Sequence, residues 1–291
     1  MLSASALKLN VFGSFLKWLE SHLDDLDALV FDIDGVWLID NRPMPGSLEL
    51  LDKLRGETIL FSFLTNDANH STQEKSLSLK KCGLEISHEE IVSCGDGLRA
   101  FVSKHQLEDQ VFFVMGDLGK PCFGEKAGLL ITRKLDQLPL CKGVIISEDN
   151  YHWERVINSV VNHFIQCSET LLIVPNPDEF YPKNAGKIQI AAGGVAGFIQ
   201  RILKAYGVSP EPVYLGKPHE PIFEHNHLQL EKRFGNTIDR RRVLMIGDHL
   251  KSDIWGANSF GYRSALLLSG LTNRTHVERS RIKPELLFKA L

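Results

Sequence analysis

Eight short apolar runs without polar alternation recur along the chain: ALVF (28–31), TILFSFL (58–64), VFFVM (111–115), GVIIS (143–147), TLLIV (170–174), PVYL (212–215), RVLMI (242–246) and SALLL (264–268). A strand that is apolar on both faces must be covered on both faces. A mainly parallel sheet with helices above and below does this. The intervening stretches carry helix punctuation. In HSTQEKSLSLKKCG, Ser71 and Glu74 fit a capping box, Lys80 and Lys81 fall in the last turn, and Gly83 suits a left-handed cap. SDIWGANSFG starts a helix at Ser252 or Asp253 and closes on Gly261. The expected class is α/β, built from βα units.

At 291 residues, 43 % of them hydrophobic, the chain can bury a substantial core. Its net charge of −3, with both signs interspersed, gives no ground for nucleic acid or an anionic membrane as partner. No run approaches the ~18 apolar residues of a membrane span. The cysteines Cys82, Cys94, Cys122, Cys141 and Cys167 are odd in number and nowhere spaced CxxC. That argues against a disulfide scaffold or zinc cluster and for a reducing, cytoplasmic setting. Residues 11–23, VFGSFLKWLESHL, place Val11, Phe12, Phe15, Leu16, Leu19 and Leu23 on one helical stripe. Acidic residues follow it, so the expectation is a helix packed on the domain rather than on a membrane.

Four stretches put polar residues just after an apolar run: Asp32 with Asp34, Thr65 with Asn66, Lys217, and Asp248 with Asp253. Ligands of open parallel sheets bind at the carboxyl ends of strands, so these distant positions can share one crevice. Two carboxylates ~4 Å apart repel by ~4 kcal/mol at an effective dielectric of ~20. A divalent cation reverses that cost, and an all-oxygen set suits Mg²⁺. Asp32, Asp34 and Asp248 are the expected metal residues, with Asp253 bracing them. Asp32 can then attack phosphorus, Asp34 can protonate the leaving oxygen and later activate water, and Lys217 can hold the spreading charge. Thr65 would donate to a phosphoryl oxygen.

The motifs DIDGV, FLTND, GKP and GDHLKSD, in that order, resemble those of the haloacid dehalogenase (HAD) superfamily of phosphohydrolases. GKP, GANSFG and VPNPDEFYP are similar to the NagD-like and 4-nitrophenylphosphatase-like group, subfamily IIA. The resemblance spans about Leu26 to Gly270. It implies a Rossmann-like HAD core with a mainly parallel sheet, plus the large inserted α/β cap domain typical of that subfamily. It also implies Mg²⁺ and hydrolysis of a small phosphomonoester through an aspartyl-phosphate. The expected division is 1–107 (core and N-terminal helix), 108–205 (cap) and 206–291 (core again). Thr65, Asn66 and Gly35 are expected on the phosphate, Asn176 and Asp178 on the substrate from the cap. Caps of this type often dimerise, so a homodimer through the cap fits.

Asp67 stands where the group often has Asn, and Val36-Trp37 departs from its usual spacing. MGDLGKP (115–121) echoes two motifs but is assigned to the cap's first strand and turn. His225 and His227 point apart on a helix, Cys94 and Cys122 read as inert packing, and His219 and His249 adjoin motif residues. Gly193, Gly194 and Gly197 suggest close backbone approach without a GxGxxG fingerprint. The alternative reading is a non-catalytic or phospho-binding protein on the same scaffold. Loss of Asp32, Asp34 or Lys217 would mark it, and all three are present.

Overall fold

The computed structural model describes residues 10–148, 150–183 and 187–291. All eight apolar runs contain strands, and these sort into two parallel sheets. The seven-stranded sheet runs in the order Val11–Ser14, Leu286–Ala290, Arg263–Leu267, Val243–Gly247, Ala28–Phe31, Leu60–Thr65, Ile91–Ser93. The five-stranded sheet runs Pro212–Tyr214, Leu171–Val174, Gly143–Ile146, Val111–Met115, Leu130–Thr132. Two antiparallel hairpins, Leu38–Ile39 with Arg42–Pro43 and Phe180–Pro182 with Ile188–Ile190, lie outside them.

Ala28–Phe31 and Val243–Gly247 are buried along their whole length, as doubly covered strands must be. Their register decides where the chemistry falls. Phe31 sits opposite Ile246 on one side and Phe63 on the other. The three strands therefore end level, and Asp32, Thr65 and Asp248 emerge at one edge. Beneath them Trp37 is fully buried and meets Phe31 and Phe63 edge-on at 5.2 Å. The departure at Val36-Trp37 thus fills the core, where a large apolar side chain is worth ~1.5–3 kcal/mol.

Helix punctuation is realised at Ser71. Its Oγ accepts from Glu74 N (3.2 Å) while Glu74 Oε2 accepts from Ser71 N (2.9 Å). Gly83 takes φ +84 beyond the helix Thr72–Lys81. MGDLGKP lies where expected, since Met115 ends the first strand of the second sheet in chain order. Among the described residues no helix is long and apolar enough to cross a membrane.

Three expectations need correction. Residues 11–23 are not one helix: Val11–Ser14 is an edge strand parallel to Leu286–Ala290, Phe15–Leu19 is a short α-helix, and Leu23 opens a separate 3-10 turn to Asp25. The helix does pack on the domain, burying Phe15, Trp18 and Leu19. Four apolar-rich residues satisfy either period, and the open edge of the last strand decides for a strand. The expected division at 205/206 is also misplaced relative to the sheets. Pro212–Tyr214 pairs with Leu172–Val174 of the five-stranded sheet, so the chain leaves that sheet only at Leu215. Lastly, helical structure after Asp248 begins not at Ser252 but at Leu250, as a π-type turn to Ile254 followed by Trp255–Phe260.

Candidate functional site

Lys217 follows a strand of one sheet and reaches the strand ends of the other. Its side chain is 2 % exposed, and its Nζ donates to Asp32 Oδ1 and Asp253 Oδ1, both at 2.7 Å. The other Asp253 oxygen accepts from the N–H groups of Asp248 (3.1 Å) and His249 (3.0 Å). This turning-back of Asp253 is what draws residues 250–254 into a π-type turn. Asp253 is wholly buried and fully engaged.

Asp248 is engaged on one side only. Oδ2 accepts from Leu271 N at 2.7 Å, whereas Oδ1 is buried with no hydrogen-bond partner. Two glycines make room for this carboxylate. A Cβ on Gly35, at φ +97, would come within 2.3 Å of Asp248 Oδ2, and one on Gly270 within 2.0 Å. One oxygen each from Asp32, Asp248 and Asp253 lie within 4.8 Å of one another. Burial pushes the Asp32 carboxyl well up; Lys217 offsets this in part, while Asp253 and Asp248 add repulsion. Burial, and then the charge of Asp253, push Asp248 up to about 7. Burial works against the Lys217 ammonium, but Asp253 and Asp32 hold its pKa well above the usual lysine range. An unpartnered buried carboxylate oxygen among crowded acids is costly, and a hard cation relieves that cost. The donor set is all oxygen, and it fits a divalent ion such as Mg²⁺.

Asp34 points elsewhere. Its side chain is 51 % exposed, and Oδ2 pairs with Lys75 Nζ at 2.7 Å. Lys75 also pairs with Asp67 Oδ2 at 3.0 Å. Asp67 in turn accepts from the N–H groups of Asn69 (3.0 Å) and His70 (3.2 Å), and its Oδ2 meets His70 Nδ1 at 2.9 Å. Burial would raise Asp67, but Lys75 and His70 together hold it well below the carboxylate range. The hydrogen bond to Asp67 raises His70, against its burial. Sequence reasoning missed Lys75 and His70. The available signal was a lysine in the first turn of Thr72–Lys81, where the helix dipole disfavours a cation unless carboxylates face it.

A cleft of about 360 Å³ between the two sheets gathers every residue expected at the site except Asp253, which lies behind it. The cleft is also lined by His70, Lys75, Glu148, Tyr181, Lys183 and His249. Within it, several expected substrate contacts are occupied by the protein itself. Gly35 N donates to Leu38 O at 2.8 Å. Asn66 Oδ1 accepts from Lys217 N (2.8 Å), and its Nδ2 donates to Lys217 O (2.9 Å) and Asp178 Oδ2 (2.9 Å). Asn176 Oδ1 accepts from Asp178 N (2.9 Å), and Nδ2 donates to Glu148 Oε1 (3.0 Å). These four are expected on phosphate or substrate; the Gly35 N–H, the Asn66 and Asn176 amides and one oxygen of Asp178 hold loops together, while Asp178 Oδ1 faces His249 Nδ1 at 3.9 Å. Thr65 differs. Its Oγ1 accepts from Asp67 N at 3.1 Å, leaving the hydroxyl hydrogen to donate.

The remaining candidates are structural. His227 contacts Tyr262 Oη at 3.1 Å inside the core, and His219 stacks on Tyr214 at 4.8 Å. Cys94 Sγ donates to Asn66 O at 3.1 Å and is buried, as is Cys122. A Cβ on Gly193 or Gly194 would strike the carbonyls of Pro177 (2.1 Å) and Glu179 (2.4 Å), whereas Gly197 faces open space.

Residues 29–127 match the family model of haloacid dehalogenase-like hydrolases, and residues 214–291 match a second, HAD-hydrolase-like model. A dihydroxyacetone phosphatase from Corynebacterium glutamicum is 28 % identical over 255 residues, covering 87 % of this chain and 85 % of its own. A 4-nitrophenylphosphatase structure from Thermotoga maritima superposes with a TM-score of 0.76 at 24 % identity, over 92 % of this chain and 95 % of that one. A glycerol phosphate phosphatase from Mycobacterium tuberculosis, solved in complex with magnesium, superposes with a TM-score of 0.74 at 19 % identity, over 91 % and 75 %. The last two likenesses are of fold.

Proposed function

The chain belongs to the haloacid dehalogenase-like hydrolases, and from that premise we propose that it is a phosphatase hydrolysing a small phosphomonoester through an aspartyl-phosphate on Asp32. One observation carries the reading: three acids and a buried lysine meet at the carboxyl ends of adjacent strands, and one acid oxygen there has no partner. Asp32 and Asp248 would hold Mg²⁺, with Asp253 behind them; the carboxylate of Asp34, expected there too, turns to Lys75 instead. Bound there, the ion supplies positive charge that offsets the carboxylates and lets a phosphate dianion approach.

The chain's own residues do the rest. Lys217 takes Asp32 Oδ1, so Oδ2 is the atom left for attack. As the Asp32 Oδ2–P bond forms, the ester P–O bond breaks, and the leaving oxygen takes its proton from Asp34. Water then attacks phosphorus and gives a proton to the Asp34 carboxylate. The acyl-phosphate P–O bond breaks, which frees phosphate and restores Asp32. Lys217 and the Thr65 hydroxyl are placed to hold charge on the phosphoryl oxygens. Residues 108 to about 214 would serve as the cap that keeps bulk water from the cleft.

The test is turnover of 4-nitrophenyl phosphate with and without Mg²⁺, with Asp32→Asn alongside. A loss of ~10³-fold, or ~4 kcal/mol of transition-state stabilisation, is expected for the variant. A near wild-type rate would overturn covalent attack by Asp32.

We also propose a homodimer through the cap. Phe198, Ile202 and Tyr206 form an exposed stripe at four-residue spacing on the helix Ala192–Tyr206, and Ile188 and Ile190 are exposed on the preceding hairpin strand. A monomer by light scattering would refute it. The five cysteines are all free, which supports the cytoplasmic reading; immunolocalisation outside the cytoplasm would overturn it.

A further inference from the structure

Asp178 belongs to the second sheet's side of the cleft, yet its carboxylate is engaged by a residue of the first. Asn66 Nδ2 donates to Asp178 Oδ2 at 2.9 Å while the same amide brackets the main chain of Lys217 through N–H and carbonyl. The junction has no slack. A Cβ on Gly216, just before the lysine, would lie 2.5 Å from Asn66 Oδ1 and 2.8 Å from the carbonyl oxygen of Pro175. From behind, Gly193 and Gly194 let the helix Ala192–Tyr206 press directly on the backbone of 177–179. The Asp178 loop is therefore wedged between that helix and Asn66.

We propose that Asp178 is a positioning residue: through Asn66 it fixes the backbone from which Lys217 reaches Asp32, so the lysine is in register only when the insert sits over the core. The inference rests on the phosphatase reading. The two bonds to Lys217 hold the plane of the Asn66 amide, and its remaining Nδ2 hydrogen, given to Asp178 Oδ2, ties that plane to the insert. Without that tether, Asn66 and the segment Gly216–Lys217 it brackets shift together. A shift of ~1 Å in a group that stabilises charge can cost ~10²-fold in rate. Substrate binding through phosphate is less affected, because Lys217 acts most strongly on charge that develops in the transition state.

The experiment measures kcat and KM on 4-nitrophenyl phosphate and on glycerol phosphate, with Mg²⁺, for wild type, Asp178→Ala, Asp178→Asn, Asn66→Ala and the double variant Asn66→Ala/Asp178→Ala. Rates are normalised to the folded fraction read by circular dichroism. Asp178→Ala is expected to lower kcat by about 10- to 100-fold on both esters, with KM within about 3-fold. Asp178→Asn, whose amide oxygen still accepts from Asn66, stays within about 3-fold of wild type. The double variant is no slower than Asn66→Ala alone, because both lesions break one linkage. Losses that multiply would overturn the proposal, as would Asp178→Asn behaving like Asp178→Ala. A KM change on glycerol phosphate alone would make Asp178 a substrate contact instead. Wild-type protein inactive on both esters would sink the phosphatase reading, and this inference with it.

Discussion

Replacing Lys75 with Met isolates what one ammonium does between two carboxylates. The Asp34 arm is half exposed, so water screens it and it adds little to stability. The Asp67 arm is different: the two side chains are 12 % and 16 % exposed and 3.0 Å apart. Exposed ion pairs are worth ~0–1 kcal/mol, and breaking a fully buried one costs ~3–5. Asp67 keeps the N–H groups of Asn69 and His70 in the variant, so a loss of about 2 kcal/mol is expected. At ~2–4 °C per kcal/mol for a chain approaching this size, the melting temperature falls by ~4–8 °C at neutral pH.

The pH dependence has a definite sign. Burial raises the Asp67 carboxyl, but Lys75 and His70 depress it well below its unfolded value of ~3.9. A depressed carboxyl stabilises the fold above that unfolded value, and the contribution is lost as pH falls through the folded one. The gap between wild type and Lys75→Met is therefore full near neutrality and closes in acid. It widens at alkaline pH, where His70 turns neutral and the variant's Asp67 keeps no cation. Circular dichroism melts at intervals from about pH 3 to 9 read both trends. Adding Asp67→Asn to Lys75→Met should recover most of the loss, since an amide oxygen accepts the same N–H groups without charge. Equal melting temperatures at neutral pH, or a gap that persists undiminished in acid, would refute the reasoning.

Gly35→Ala places a methyl 2.3 Å from Asp248 Oδ2 on a backbone at φ +97. It should cost about 3 kcal/mol and raise the Mg²⁺ concentration needed for half-maximal phosphatase rate; wild-type values in both measurements would contradict the packing argument. The hydrogen bond that His70 donates to the Asp67 carboxylate raises His70, so its imidazole should titrate above ~6.5 by NMR and return toward that value in Asp67→Asn. The matching stability is present below ~6.5 and lost as pH rises through the raised value. An unmoved His70 titration in the variant would show that Asp67 is not the cause.

The α/β class was legible because strands such as Val243–Gly247 are apolar on both faces, and few folds bury such a strand. Val11–Ser14, Ile91–Ser93 and Leu130–Thr132 were not legible: three or four residues carry too little period to separate strand from helix. Asp32, Asp248 and Lys217 could be found because each follows an apolar run, and a strand's end is a fixed place. The partners of Asn66, Asn176 and Asp178 could not be found that way. A side-chain amide or carboxylate in a loop bonds to whatever tertiary structure brings near, and for Asn66 the Lys217 partner is 151 positions away. Gly35 had a double meaning: glycine suits a phosphate loop, yet its place here follows from the carboxylate of Asp248 pressed against it.

The seam between Val11–Ser14 and Leu286–Ala290 imposes an order on biosynthesis. The hydrogen bond from Ser14 Oγ to Leu291 O spans 277 positions. On a ribosome adding ~5–20 residues per second, the first strand waits tens of seconds for its neighbour, with Val11 and Phe12 uncovered throughout. The sheet is thus sealed between two segments made 277 positions apart. Stalled nascent chains ending before residue 286 should stay open to protease near Phe12, whereas chains that include Leu286–Ala290 should be cut slowly there.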